Sequence, residues 1–219
     1  MKKTILVFGA SGYIGKRFCH LYQEKYDIIS VGGKSSGPWI KFDFLNPDFE
    51  RLHLHLSRDS CSIDGILFLQ GMNPNIGIDD VDLQHFNEML QMNVSVPSLI
   101  IRELFDKIND GSTITFISSV AAKKGSYDPA YAAAKSAIAG TINSLSNKWG
   151  HLRFNSVALG LVEDSPVHEG MTADFEKKHR DAMGGRLVKV NDVCKTLDFL
   201  LECESIACTE IQLDCGYKL

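Results

Sequence analysis

The sequence lacks any apolar run approaching the roughly 18–20 uninterrupted residues that span a bilayer. Its apolar opening, residues 4–8, runs straight into a glycine-rich turn and is too short for the core of a signal peptide. A basic surplus is also missing, because 23 Lys and Arg stand against 27 Asp and Glu, for a net charge of −4. These absences argue against a membrane protein and against a binder of nucleic acids or anionic membranes.

Cysteines are present, but no two stand in a CxxC pair or at another spacing typical of metal ligands. The six are Cys19, Cys61, Cys194, Cys203, Cys208 and Cys215. Reduced thiols in a cytoplasmic protein explain this pattern best, so the sequence predicts no disulfide framework and no metal site.

Short apolar runs alternate with amphipathic segments along nearly the whole chain. Its 219 residues, 44% of them hydrophobic, suffice for one sizeable core. Predicted strands are 4–8, 28–31, 63–69, 112–118, 154–158 and 210–213, and predicted helices are 15–26, 49–57, 83–105, 131–148 and 192–201. This alternation predicts one doubly wound α/β domain of the Rossmann type over residues 1–219, with a mostly parallel sheet and helices on both faces. The irregular stretch around 160–185 is predicted to be a substrate loop or lid.

A glycine-rich turn joins the first predicted strand to the first predicted helix. Gly9, Gly12 and Gly15 are spaced three apart, as in a variant of the dinucleotide fingerprint. Glycine lets a pyrophosphate approach the backbone, and the helix that follows offers free N–H groups. The turn therefore predicts dinucleotide binding, against a purely structural turn or another nucleotide-like ligand. The predicted contacts are Gly9, Ser11, Gly12, Tyr13, Ile14 and Gly15.

The end of the second predicted strand bears on the choice of cofactor. An NAD site usually carries an acid there, but no acidic residue occurs from 28 to 42. Lys34 and the two serines after it can instead bind a 2′-phosphate. The sequence thus favours NADP(H) over NAD(H), while a solvated loop lysine remains the alternative for Lys34.

Tyr131 and Lys135 are spaced so that both side chains lie on one face of a helix. A nearby ammonium favours the phenolate, so Lys135 is expected to lower the pKa of Tyr131 and make it usable in proton transfer. Ser119 precedes the tyrosine by 12 residues and follows a buried strand, where it can donate a hydrogen bond to a carbonyl oxygen. Taken alone, a Tyr/Lys pair on a helix is more often a surface pair.

Taken together, these motifs resemble the short-chain dehydrogenase/reductase family, in its single-domain form similar to 3-oxoacyl-carrier-protein reductases. The matching segments, in the family's order, are 9–15, Asp43, 91–94, 117–119, 131–135, 153–157, 185–187 and 213–216. The chain departs from the pattern at the glycine spacing, at 68–71, where only Gly71 is kept, and at Leu159-Gly160 in place of Pro-Gly.

The resemblance implies a role for each matching residue. Tyr131 would be the acid/base, Lys135 would hold the nicotinamide ribose, and Ser119 would polarise the carbonyl, with Ser118 as the competing candidate. Asn93 would anchor a water for proton relay. Further cofactor contacts would come from Asp43, Phe44 and Gly71.

The predicted activity is an NAD(P)(H)-dependent interconversion of a carbonyl and an alcohol on a small polar substrate. The resemblance also implies a homodimer or homotetramer. A non-catalytic nucleotide-sensing or scaffold protein on the same fold is the alternative. A methyltransferase is disfavoured, because the second strand lacks an acid and the Tyr/Lys pair would have no role.

Overall fold

The computed structural model describes residues 2–33, 36–57 and 62–217 of the protein. The strands there are β1 (Thr4–Phe8), β2 (Asp27–Gly32), β3 (Ile40–Lys41), β4 (Ile63–Phe68), β5 (Ile108–Ser119), β6 (Arg153–Leu159) and β7 (Thr209–Leu213). The α-helices are α1 (Tyr13–Tyr22), α2 (Phe49–Ser57), α3 (Leu83–Leu90), α4 (Val96–Glu103), α5 (Ala121–Lys124), α6 (Pro129–Lys148), α7 (Pro166–Glu169), α8 (Ala173–Ala182) and α9 (Val190–Glu202). The strands described form one parallel sheet in the order β3-β2-β1-β4-β5-β6-β7. The predicted doubly wound fold is confirmed.

Both faces of the sheet are covered, which explains why its strands are almost continuously apolar. In β1, Leu6 and Phe8 belong to a core that packs on α2, α4 and α6. Ile5 and Val7 point the other way, into a second core completed by α1 and α9. Alternate residues of one strand are therefore buried on opposite faces.

The structure adds the short elements β3 and α5 to the predicted ones and differs from the prediction in two longer stretches. The predicted helix 83–105 is divided by a π-helical turn, Gln91–Ser95, and ends in the 3₁₀ turn Phe105–Lys107. The segment predicted as an irregular loop contains α7 and α8. Neither short helix buries a residue, and α8 is supported by i,i+4 ion pairs, Lys177–Asp181 and Glu176–Arg180. A helix without a buried face leaves no apolar period in the sequence.

The carboxyl ends of the parallel strands meet at one edge of the sheet. Strand order reverses between β1 and β4, because β1 leads to β2 on one side and pairs with β4 on the other. Ligands of such sheets bind in the crevice at this point. No helix among the described residues is long and apolar enough to cross a membrane.

Candidate active site

The glycine turn after β1 lies at the switch point and is tightly packed. Gly9 has a φ of +79°, and a Cβ there would lie 2.5 Å from the backbone nitrogen of Gln70. A Cβ on Gly15 would overlap the carbonyl oxygen of Gly9. Gly12 caps α1 without a side chain, which leaves the N–H groups of the first turn facing the crevice. Glycine at positions 9 and 15 therefore lets the turn close tightly on itself and on the end of β4. A tight turn of this kind, followed by free N–H groups of a helix, is suited to binding a pyrophosphate group.

The non-glycine residues of the turn are held in place by contacts with neighbouring segments. Ser11 is buried beside Gly32, and Ile14 packs against the second core. The Tyr13 hydroxyl donates to the carbonyl of Glu163, at 3.1 Å, and burial raises the pKa of Tyr13. This bond joins the turn to the beginning of the segment predicted as a lid.

Of the residues predicted to contact the adenosine end of the cofactor, the structure describes Asp43 and Phe44. Lys34 lies outside the described residues, so the structure gives no contact for it. The Asp43 carboxylate accepts a hydrogen bond from the backbone N–H of Leu45, at 2.9 Å, which is the main cause of its lowered pKa. The Phe44 ring is buried in the core, 5.8 Å from Phe8 between ring centroids. The Phe44 side chain therefore packs in the hydrophobic core, and Asp43 supplies the polar group at this position.

Ser119 and Tyr131 meet at the end of β5. The Ser119 hydroxyl lies near enough to the Tyr131 phenol to act against the rise in the phenol's pKa that burial causes. The Ser119 oxygen also accepts from the backbone N–H of Ala121, at 3.1 Å, so that its own proton stays available for another acceptor. Ser118 is buried too, but its hydroxyl has no hydrogen-bond partner in the described part of the chain. This geometry favours Ser119 over Ser118 as the serine beside the tyrosine.

Lys135 lies one helical turn beyond the tyrosine. Its Nζ is 5.7 Å from the centre of the Tyr131 ring and donates to the carbonyl of Ile117, at 2.8 Å. A Cβ added to Gly71 would lie 4.0 Å from the same amine, which places Gly71 beside it. One N–H of the ammonium is thus bound to β5, and two remain for a ligand.

Burial sets the electrostatics of this pair. Desolvation raises the pKa of Tyr131, opposed by the Ser119 hydrogen bond and assisted by the charge of Asp128. Desolvation also lowers the pKa of Lys135 to about 7. The sequence predicts a lowered pKa for Tyr131, and the structure gives the opposite net direction. Burial removes water from both groups. The amine is therefore less charged near neutral pH and favours the phenolate less, so that burial of the phenol decides the direction of its pKa shift.

Replacing Lys135 by methionine is expected to stabilise the protein without cofactor while weakening cofactor binding. The amine's pKa is about 7 when folded and 10.5 when exposed, so the unfolded chain binds more protons between these values. The free energy of unfolding of the wild type should therefore rise over about pH 7–10 relative to that of the Lys135→Met variant. At pH 7 the variant should be more stable by about 1–3 kcal/mol. Urea unfolding across this pH range tests the prediction, and parallel curves would contradict it.

Asn93 lies in the π-helical turn and is buried. Its side-chain Nδ2 donates to the carbonyl of Met89, at 2.8 Å, while the side chain of Gln70 donates to the carbonyl of Met92, at 3.1 Å. The structure thus uses the Asn93 amide to hold the turn, which packs on α6. No side-chain hydrogen bond in the described residues joins Asn93 to Tyr131, and its role as a water anchor stays a prediction. π-turns of this kind occur often at functional sites.

Two further residues beside the tyrosine were missed by the sequence analysis. Asp128 is fully buried and is the N-cap of α6, and His85 of α3 lies 2.8 Å from its carboxylate. An aspartate directly before Pro129 is a typical start signal for a helix, so the cap could have been found from the sequence. The histidine could not, because it reaches the carboxylate only in the folded chain.

Comparisons with known proteins agree with this geometry. A family model described as Enoyl-(Acyl carrier protein) reductase matches residues 46–218. The uncharacterized oxidoreductase YmfI of Bacillus subtilis (strain 168) is 26% identical over 222 residues, 92% of each chain. The short-chain dehydrogenase/reductase from Serratia marcescens BCRC 10948 has a TM-score of 0.87 at 21% identity, over 99% of this chain and 98% of that one. The angucycline C-6 ketoreductase LanV with bound NADP has a TM-score of 0.85 at 20% identity, over 98% and 95%.

The two solved structures show the fold, and the family model, which spans most of the chain, shows the family. On this evidence the chain belongs to the short-chain dehydrogenase/reductase family of NAD(P)-dependent oxidoreductases.

Proposed function

We propose that the protein interconverts a carbonyl and an alcohol on a small polar substrate, with NADP(H) preferred over NAD(H). The observation that carries the proposal is that Ser119, Tyr131 and Lys135 lie together at the sheet edge that also holds the glycine turn. Nζ of Lys135 is 5.7 Å from the centre of the Tyr131 ring, and the Ser119 side chain lies next to the phenol. A protein that only senses or carries a nucleotide needs no proton donor at this edge.

In the proposed reaction, Tyr131 and Ser119 both act on the carbonyl oxygen of the substrate. The bound nicotinamide supplies the hydride to the carbonyl carbon. Tyr131 donates its phenolic proton to the oxygen, so that hydride and proton together give the alcohol. Ser119 polarises the same oxygen with the hydrogen that its own contacts leave free. The phenol is protonated at neutral pH, as any tyrosine with a pKa at or above its ordinary value is, so the proton that reduction needs is present.

Lys135, Gly71 and Asn93 are proposed to support this chemistry. Two N–H donors of Lys135 would hold the nicotinamide ribose, with Gly71 leaving room beside the amine. Asn93 would anchor a water for proton relay behind the lysine. The glycine turn and Asp43 would bind the rest of the dinucleotide.

The NADP preference depends on Lys34 and on the missing acid at the end of β2. The NADP bound in LanV shows that a protein of this fold takes the phosphorylated cofactor. The charged segment around 160–185, with its ion-paired helix α8, would cover a polar substrate.

The remaining proposals concern assembly and location. We propose a homodimer or homotetramer in the cytoplasm, with no nucleic-acid or membrane partner. Helix α6 supports pairing, since it exposes small residues such as Ala133, Ser136 and Gly140. The five cysteines in the described part of the chain are free thiols, in keeping with a reducing compartment.

A panel of carbonyls tested with NADPH and NADH, followed by absorbance of the reduced nicotinamide, tests the proposed function. We expect turnover with at least one polar ketone or aldehyde, and a higher kcat/KM with NADPH. Binding of cofactor without turnover of any carbonyl would favour a nucleotide sensor. If neither cofactor binds at millimolar concentration, the proposal is wrong.

A further inference from the structure

Asp128 is a buried carboxylate directly behind the proposed proton donor. It has no exposed surface, and its oxygens accept three hydrogen bonds from three parts of the chain. One comes from the backbone N–H of Tyr131, at 2.9 Å, one from the backbone N–H of Ile76, at 3.4 Å, and one involves Nε2 of His85, at 2.8 Å. A single side chain thus ties α6, α3 and the loop after β4 together.

The first of these bonds fixes the backbone that carries the phenol. Asp128 is the N-cap of α6, and Tyr131 supplies the N–H that the cap accepts. The same region is packed from α3, where Met89 contacts Ala130 and Ala134 in a small apolar cluster. A cap bond at this position fixes where the first turn begins and therefore where the phenol lies.

His85 completes the environment of the carboxylate. Its ring is 6% exposed, and its own backbone N–H is accepted by Asp82, the N-cap of α3, at 2.7 Å. A buried carboxylate needs such partners, because leaving one of its oxygens without a donor is costly. The histidine therefore holds Asp128 in place from the far side.

The carboxylate also acts on the phenol through space. Its charge is one of the causes of the raised pKa of Tyr131. The titratable groups near the phenol include Asp128 at the start of α6, Lys135 one turn on, and His85 of α3 behind the carboxylate. Helix α5, which packs on α6, carries Lys123 and Lys124. Strand β5 contributes the neutral Ser119.

We propose that Asp128, held by His85, is a positioning residue for Tyr131: it fixes the first turn of α6 and keeps a carboxylate next to the residue that carries the phenol. The inference rests on the proposed function, in which the phenol gives its proton to the substrate oxygen.

The test replaces the charge and keeps the shape. Asp128→Asn retains an oxygen for the N–H of Tyr131, and Asp128→Ser offers a second neutral cap should the amide pack poorly. In both variants the pKa of the alkaline limb of kcat/KM for carbonyl reduction should fall by about half a unit to one unit. The matched control is Asp82→Asn, which makes the same change at the exposed cap of α3 and should leave the pH profile unchanged. His85→Gln keeps a hydrogen-bond donor for Asp128, so the pH profile of this variant should also stay close to that of the wild type.

A second readout does not depend on turnover. The Tyr131 phenol can be titrated by ¹³C-tyrosine NMR, with the signal assigned from the Tyr131→Phe variant. A downward shift by NMR without any shift in the kinetic profile would refute the proposed function and leave the role of Asp128 standing. If neither profile moves while the thermal midpoint drops, Asp128 is only a helix cap and the inference is overturned.

Discussion

Replacing Tyr131 by phenylalanine is expected to reduce kcat for carbonyl reduction by about 10²–10⁴-fold, the usual contribution of a positioned general acid. The ring stays in its pocket, so affinity for NADPH should be nearly unchanged. Steady-state kinetics together with a cofactor titration by fluorescence measure both quantities on the same protein.

Ser118→Ala is the matched control for this variant. Ser118 is buried at the same strand end, but its hydroxyl has no hydrogen-bond partner among the described residues. Its removal should leave kcat within about threefold of the wild type, since no transition-state contact is lost. Wild-type turnover in Tyr131→Phe would remove the tyrosine from the acid/base role. A large loss in Ser118→Ala would instead assign the serine role to Ser118.

Gly9→Ala is expected to reduce both stability and cofactor binding. The residue has a φ of +79°, and an added Cβ would lie 2.5 Å from the backbone nitrogen of Gln70. Because the clash is with backbone and not with a side chain, it cannot be relieved by a change of rotamer. The turn must shift away from β4, so the dissociation constant for NADPH should rise about tenfold or more, equivalent to 1.4 kcal/mol or more of binding energy. The free energy of unfolding should fall by about 2–4 kcal/mol.

Gly111→Ala is a control that separates the strain of a left-handed backbone from the steric clash of the added Cβ. Gly111 has the same φ of +79°, but nothing lies within 4 Å of its added Cβ. It should lose only the strain of the left-handed backbone, about 1–2 kcal/mol, and bind cofactor as the wild type does. Equal effects of the two substitutions on binding would show that the close approach of Gly9 to Gln70 is irrelevant to the cofactor site.

The fold could be predicted because its signals are local. Each strand of a sheet covered on both faces is a short apolar run, and the glycine turn follows the first one directly. Helices α7 and α8 bury no residue, and α8 relies on ion pairs, so periodicity could not predict them. The four-residue helix α5 is too short to show a period. The division of the helix at 91–95 was missed for a related reason, since a π-turn adds one residue without interrupting the apolar pattern.

The site was predictable to a different degree at each position. The spacing of Ser119, Tyr131 and Lys135 anticipated that they would lie together. The direction of the Tyr131 pKa was not predictable, because burial of the phenol and of the amine is a property of the folded chain. The contact of His85 with Asp128 joins residues 43 apart in the sequence, and no local pattern encodes it.

The carbon that receives the hydride from NADPH can be identified by deuterium labelling, which tests the proposed carbonyl reduction most directly. Reduction of an accepted substrate with NADPH carrying deuterium at C4 of the nicotinamide should give an alcohol one mass unit heavier, with the label on the former carbonyl carbon. Deuterium found instead on the carbon of a reduced C=C bond, the reaction named in the matching family description, would contradict the assignment of Tyr131 as a proton donor to a carbonyl oxygen.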